Sequence, residues 1–324
     1  MTNRWIGLAA LVMASLAADA AAAQTYPTRP IRMVVGYSPG GPADVMARLI
    51  GQRMAVLLGQ AVVVENRAGA GGTIAARVVA ESEPDGYTLL LGNTSTLVIS
   101  PLMYKNVGYD ALKAFAPIAR LGTTSDILVI NPAFPAKSLP ELIAYAKANP
   151  GKLNYSTPGI GTPPHLIGEM LKLRAGVDIV HVPYKSGGQS ILAVIAGEVQ
   201  FTFENPAVAL PLVQAGVVRA LAVTSEARHP QAPDVPTLVE SGLPDFVSVS
   251  FTGVVGRAGI TANIVAKLNS VINESLKSPE VAATLVKLAV DAKNETPKQF
   301  AAFLAEEMAK MTPVVKAAGL QAVE

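Results

Sequence analysis

The sequence predicts an α/β fold built in two blocks, on three observations. Short apolar runs of strand length alternate with helix-length runs along most of the 324-residue chain. A glycine turn separates a strand from a helix in both blocks: Gly36-Tyr37-Ser38-Pro39-Gly40-Gly41 in the first, Ser156-Thr157-Pro158-Gly159-Ile160-Gly161 in the second. The pattern restarts near Asp126. Continuous apolar strands separated by helices point to mostly parallel sheets covered on both faces. Half the residues are hydrophobic and 15% are charged, enough apolar material for full cores.

Each element has a local reason. Ile31 to Gly36 is an apolar strand that ends in the first glycine turn, and Val45 to Leu58 is a helix closed by Gly59. Ala61 to Glu65 is the next strand. A helix runs from Gly71-Gly72-Thr73 to about Glu83, Pro84-Asp85-Gly86 turns the chain, and Tyr87 to Gly92 is the third strand. In the second block Ile127 to Ile130 is a strand. Ser138-Leu139-Pro140-Glu141 opens a helix with capping-box spacing, which stops at Asn149-Pro150-Gly151. Leu153 to Tyr155, Asp178 to Val182, Val199 to Phe203 and Ala220 to Thr224 are later strands, with helices in the gaps. A proline-rich stretch follows from Arg228 to Pro244, Val247 to Val255 reads as a strand, and the last quarter is largely helical.

Composition narrows the function. A net charge of +2, without runs of like charge, argues against nucleic acid as a partner. Arg4, the apolar run Trp5 to Ala18 and Ala21-Ala22-Ala23 have the layout of a secretory signal peptide cut before Gln24. The apolar run is too short and interrupted for a membrane span. The chain has no cysteine, so disulfides, thiolate metal sites, a cysteine nucleophile and a lipid-attachment cysteine are all absent. The expectation is a freely soluble protein exported to the bacterial periplasm.

The two turns carry the chemistry. In the first, Ser38, Pro39, Gly40 and Gly41 precede a helix, where bare N–H groups and the positive end of the helix dipole suit an anion. Fixed amide dipoles hold a carboxylate without the desolvation cost of a buried paired cation. Asp44 supports the helix start and would repel an anion at close range. In the second, Ser156, Thr157, Gly161 and Thr162 form the opposing clamp, with Thr162 as the N-cap and Pro163 as the first helical residue. Asn93, Thr94 and Ser95 follow the third strand and either line the same cleft or cap a helix near Leu97. His165 and Glu169 share a helix face, but without a second histidine motif a metal site is not expected; His165 is read as contacting nearby backbone and is counted with the residues expected to bind the ligand. His181 is read as a strand residue with a satisfied ring. Gly69-Ala70-Gly71-Gly72 sits where a dinucleotide loop would, but Ile74 stands where the third glycine belongs. Glu65-Asn66-Arg67 is read as structural. Three histidines, no His-Glu-x-x-His motif and a reading without a Gly-x-Ser-x-Gly elbow argue against an enzyme, and no catalytic residue or cofactor is expected.

An ordered set of short motifs runs along the chain: Tyr26-Pro27-Thr28-Arg29-Pro30-Ile31, Pro39-Gly40-Gly41-Pro42-Ala43-Asp44, Glu65-Asn66-Arg67-Ala68-Gly69-Ala70-Gly71-Gly72, Asp85-Gly86-Tyr87-Thr88-Leu89, Asn154-Tyr155-Ser156-Thr157-Pro158-Gly159, His165-Leu166, His181-Val182-Pro183-Tyr184-Lys185, Arg219 to Ser225 and Asp234-Val235-Pro236-Thr237. Over essentially the whole mature chain this set resembles the substrate-binding receptors of tripartite tricarboxylate transporters, the Bug proteins. The resemblance implies a type II periplasmic-binding-protein fold with a ligand cleft between two lobes. The lobes are expected at residues 24–121 with 250–324, and at 122–249. It implies a small carboxylate as ligand, delivered to integral-membrane transporter subunits by a monomeric receptor. By resemblance, the Ser38 to Gly41 turn holds one carboxylate and the Ser156 to Thr162 loop holds the far end. Glu204 and Asn205 lie at a strand end facing the cleft, and Glu204, where many relatives carry Asp, hints at a polar or amine-bearing far end. The alternatives are a receptor that senses the ligand for a signalling partner and an exported enzyme acting on carboxylic acids.

Overall fold

The computed structural model describes residues 26–321, so the leader expected over residues 1–23 lies outside the described residues. Two sheets carry the fold. The first has six strands in the order β11-β4-β10-β3-β1-β2, and the second five in the order β7-β6-β8-β5-β9. In the first, β1 (Ile31–Val35), β2 (Val62–Asn66) and β3 (Thr88–Asn93) run parallel. They are linked by α1 (Pro42–Leu58) and α2 (Thr73–Ala80), as expected for right-handed crossovers through helices.

The expectation of mostly parallel sheets is corrected: both sheets are mixed. The 11-residue β4 (Phe115–Ser125) and the later β10 (Val249–Arg257) lie antiparallel, with β10 inserted between β3 and β4. The short β11 (Asp291–Ala292) pairs with the outer edge of β4. In the second sheet β6 (Leu153–Thr157), β7 (Ile179–Pro183) and β8 (Phe201–Glu204) are parallel. There β5 (Ile127–Ile130) runs antiparallel to β8 and to β9 (Arg219–Val223). The chain therefore leaves the first sheet along β4 and returns along β10. Thr224 ties these two passages together: its Oγ1 accepts the Asp126 N–H at 2.8 Å, and its carbonyl accepts the Ser248 N–H at 2.8 Å.

Two cores are local to the sheets. Ile31, Met33 and Val35 pack with Met46, Ile50 and Met54 of α1 and with Leu268 and Ile272 of α8 (Ala262–Leu276). Ile127 and Val129 pack with Ile191 and Val194 of α6 (Gly187–Ala196). A third core is shared: Val34, Leu90, Leu128, Tyr155, Phe201 and Phe203 belong to one cluster with Phe300, Leu304, Met311 and Val314 of α10 (Pro297–Ala317). The last helix thus lays one apolar stripe against material from both sheets. The remaining helices are α3 (Ser100–Met103), α4 (Leu139–Ala148), α5 (Pro163–Ala175), α7 (Pro206–Gln214) and α9 (Pro279–Lys287). Among the described residues no helix is long and apolar enough to cross a membrane.

At the start of α4 the capping box is half made. Ser138 accepts the Glu141 N–H, but Glu141 reaches past the cap to the Lys137 N–H at 2.8 Å. A complete box stands instead at Thr296 and Gln299, opening α10.

Candidate functional site

The first turn is exposed and braced from beneath. Ser38, Pro39 and Gly40 face solvent, and a Cβ placed on Gly40 would meet nothing within 4 Å. Gly40 has φ +82°, a left-handed conformation that side-chain-bearing residues rarely adopt. Gly41 caps α1 through its backbone, with Pro42 at the first helical position. The brace is Asp44, 3% exposed. Its carboxylate accepts the Gly40 N–H at 2.9 Å, Arg48 Nε at 3.0 Å and Asn66 Nδ2 at 2.9 Å. The Arg48 hydrogen bond, then the Gly40 amide, hold that carboxyl down to about 2. Asn66 also donates to the Tyr37 carbonyl at 3.0 Å, so Glu65-Asn66-Arg67 is structural as expected, with Asn66 as its working member.

This brace fixes which amides remain. Pro39 and Pro42 have no N–H and Gly40 has spent its own. The N–H groups of Ser38, Gly41, Ala43 and Asp44 have no acceptor among the described residues, the last two because a first helical turn leaves its donors unpaired.

Three strand ends meet beside the turn. Tyr37 Oη donates to Asn93 Oδ1 at 3.0 Å and to the Gly71 carbonyl at 3.4 Å, and receives Asn93 Nδ2 at 2.8 Å. Asn93 Oδ1 accepts the Thr96 N–H at 3.0 Å, and Thr96 Oγ1 donates to Gly71 O at 3.1 Å. The Gly69–Gly72 stretch thereby acquires a role: a Cβ on Gly36 would lie 2.5 Å from Gly72 Cα, so glycine at both places lets the two loops touch. Residues 95–99 wind as one π-helical turn after Asn93. A cavity of about 430 Å³ lined by Ala70, Thr73, Arg77, Tyr104, Lys105, Asn106 and Val107 borders this loop and does not include the Ser38 turn.

Several hydroxyls expected in the cleft are committed elsewhere. Thr94 is buried and its Oγ1 accepts the Phe251 N–H at 2.8 Å, pinning β3 to β10, so Thr94 does not present its side chain to a ligand. Ser95 is half-buried. Ser156 is fully buried, donates to Ser190 O at 3.0 Å and accepts from Ser190 Oγ at 2.9 Å, inside the sheet–helix packing of β6 and α6. Asn205 caps α7 by accepting the Ala207 N–H at 2.8 Å.

The second loop is a closed polar network. Thr157 Oγ1 lies 2.6 Å from His181 Nε2 and accepts the Gly159 N–H at 3.2 Å. Gly161 N–H donates to His165 Nδ1 at 3.1 Å. Thr162 is the backbone N-cap of α5, but its Oγ1 donates to Gly159 O at 2.7 Å and caps no helix amide. His165 is buried and stacks on His181 with ring centroids 3.9 Å apart, so it stands behind the loop and not in its ligand face. Burial keeps both rings neutral, with Glu169 opposing that effect at His165, and His181 is pushed down to about 4. His165 is therefore linked to the Gly161 backbone and the expectation that it touches the ligand is corrected, because its ring is buried and its Nδ1 is already bonded, while His181 is held by the Thr157 side chain. A Cβ on Gly161 would lie 2.7 Å from Met103 Sδ, which places the loop against α3 of the first sheet's side.

Two acids meet at the passage between sheets. Glu204, 8% exposed, accepts the Asn205 N–H at 3.0 Å, and its carboxyl is raised by burial. Ile127 pairs with Glu204 across the sheet, which brings Asp126 beside it. Asp126 is 7% exposed, and burial followed by the Glu204 charge pushes its carboxyl up to about 7. Sequence reasoning missed Asp126 because a single acid before a four-residue apolar strand has no motif. The reading without a Gly-x-Ser-x-Gly elbow is corrected: Gly36-Tyr37-Ser38-Pro39-Gly40 has the spacing of a nucleophile elbow. The geometry withholds that chemistry. Ser38 is not among the positive-φ residues, and His165 and His181 are engaged on the other sheet. Among the described residues no group of three or more His, Cys, Asp or Glu is arranged to hold a metal ion.

Residues 46–320 match the model of the tripartite tricarboxylate transporter family receptor. The chain is 38% identical over 298 residues to protein BugT of Bordetella pertussis, covering 92% of this chain and 91% of that one. It is similar to an R. palustris protein solved with adipate, at 32% identity and TM-score 0.76, covering 92% of this chain and all of that one. MatC from Rhodopseudomonas palustris, solved with bound malate, matches at 33% identity and TM-score 0.73, covering 90% of this chain and all of that one. The chain belongs to the tripartite tricarboxylate transporter receptor family, whose members are solute-binding proteins.

Proposed function

We propose that this family member captures a small organic acid between its two lobes, with one carboxylate on the Ser38 to Gly41 turn, and delivers it to the membrane subunits of a tripartite transporter. The observation that carries the reading is the exposed turn, which offers four unpaired N–H groups at a helix start. Bare helix-start amides favour an anion through both hydrogen bonds and the dipole. The adipate and malate complexes of relatives support a carboxylate as the class of ligand. The far end would meet Asn93, Ser95, Thr162 and Glu204. The lobes would comprise residues 24–121 with 250–324, and 122–249, closing about the passages beside Thr224 because only the closed form touches the ligand from both sides. The working form would be a periplasmic monomer beginning at Gln24, and the site calls for no cofactor.

Thermal unfolding of the chain from Gln24 onward tests this, against aliphatic and aromatic mono-, di- and tricarboxylates, amino acids, and neutral sugars. A ligand at about 100 times its dissociation constant adds about 2.7 kcal/mol, a rise of about 5 °C or more for a chain of this size. The expected result is a rise with one acid class and none with sugars. No rise with any acid, in protein freed of carried-over ligand, would remove the carboxylate reading.

A further inference from the structure

The second loop carries no charged side chain, and a buried ring holds one of its glycine amides. Gly161 has φ +74°, and its N–H points inward to His165 Nδ1 at 3.1 Å. That bond requires Nδ1 to be unprotonated, with the proton on Nε2. The ring is clamped on every side. His181 of β7 stacks on it at 3.9 Å and is itself tied to Thr157. Tyr155 of β6 donates to Glu169 at 2.8 Å, and Lys172 pairs with the same carboxylate at 2.9 Å. Glu169 Oε1 lies 3.9 Å from His165 Nε2, too far for a hydrogen bond.

We propose that His165 is a positioning residue for ligand capture: by accepting the Gly161 N–H, its neutral ring holds residues 159–162 in the form that faces the ligand, and protonation of the ring releases them. This rests on the carboxylate-cleft reading. A protonated ring would present an N–H against the Gly161 N–H, two donors face to face, and the bond would be lost. The groups acting on the ring are Glu169 and Lys172 from its own helix, His181 from β7 and Tyr155 from β6. Burial and Lys172 disfavour the charged ring and Glu169 favours it, so the loop stays held at neutral pH and loosens on acidification.

The experiment pairs His165→Leu, which removes the acceptor, with His165→Asn, whose Oδ1 can stand where Nδ1 does. The readouts are titration calorimetry with adipate and malate, and hydrogen exchange of the Gly161 amide in ligand-free protein by NMR. The Leu variant is expected to exchange Gly161 about tenfold faster and to bind about tenfold more weakly, the scale of one lost hydrogen bond. The Asn variant is expected to restore both to within about threefold. Wild-type affinity should fall on acidification, and the fall should be smaller in the Asn variant, where only groups such as Asp126 and Glu204 still titrate. Unchanged Gly161 exchange in the Leu variant, or failure of Asn to restore exchange lost in it, would overturn the proposal. If neither acid binds the wild type the receptor reading falls, and the exchange data still decide the His165–Gly161 link.

Discussion

The loops after β1 and β6 are made from the same parts and deliver different chemistry. Each leaves a buried strand, turns on glycines and enters a helix that starts with proline. In the first, one proline occupies the helix start, a buried carboxylate consumes one amide, and four amides stay open. In the second, Pro163 and Pro164 fill the first two helical positions, while the Gly159 and Gly161 amides turn inward to Thr157 and His165. What remains open there are the amides of Ile160, which is exposed, of Thr162, and of His165, which is buried. The difference teaches that a glycine-rich turn before a helix is not by itself an anion site. What matters is where its N–H groups are already spent. The first loop is a donor-rich cradle, and the second is a stiff wall backed by aromatic rings.

The largest test of that contrast removes the brace of the first loop. Asp44→Ala leaves the Gly40 amide, Arg48 and Asn66 without their acceptor. Because Arg48 is half exposed and stays solvated, the cost is that of the lost hydrogen bonds to a charged acceptor, about 2 kcal/mol. Urea unfolding should show that loss, and calorimetry a drop in acid affinity of more than about tenfold. Next, Gly40→Val forces a β-branched residue into φ +82°, costing about 1–3 kcal/mol, and covers the open face of the turn. Its acid affinity should fall about tenfold or more. Ser156→Ala in the second loop should lose about 1 kcal/mol of stability yet bind acid within about twofold of wild type. Equal effects of the two changes on affinity would break the comparison.

A smaller effect concerns the acid pair behind the second loop. The Asp126 carboxyl is raised to about 7 in the fold, so the unfolded chain loses that proton first as pH rises. The fold therefore pays an increasing cost from about pH 4 to pH 7, fully present above it. Asp126→Asn should raise the melting temperature at pH 8 by about 2–4 °C, the shift expected for roughly 1 kcal/mol, and leave it unchanged near pH 4. The smallest effect adds a donor to the wall: Pro164→Ala supplies one N–H at the start of α5, worth about 0.3–1 kcal/mol towards a nearby anion. Titration with malate should show about a twofold to fivefold gain if the far end of the ligand is anionic.

The sequence made the alternation of strands and helices legible, and with it the first turn, because punctuation by Pro and Gly is local. It did not show β4, whose Pro117, Arg120 and Gly122 interrupt the apolar run. In the fold these residues are accommodated singly: Arg120 pairs with Glu295 and lies over the Phe303 ring, and a Cβ on Gly122 would lie 2.6 Å from the Asp291 carbonyl of β11. Strand direction was equally hidden, since an apolar run reads the same in a parallel or an antiparallel sheet. Within the site, Thr94 and Ser156 look in sequence like any cleft hydroxyl. Their partners, Phe251 and Ser190, lie 157 and 34 residues away, beyond the reach of any local pattern. The backbone contact of His165 was legible because its acceptor bond spans only four residues, but its expected place among the ligand-binding residues was not, because the ring of His181 that buries it lies on another strand.

The most direct measurement is an NMR titration of the nitrogen-15-labelled chain from Gln24 onward with adipate, following the amides of both loops. The account predicts the largest downfield proton shifts at Ser38, Gly41, Ala43 and Asp44, with Gly159 and Gly161 moving little because their protons are already bonded. Saturable binding that leaves the first four amides unmoved would contradict it.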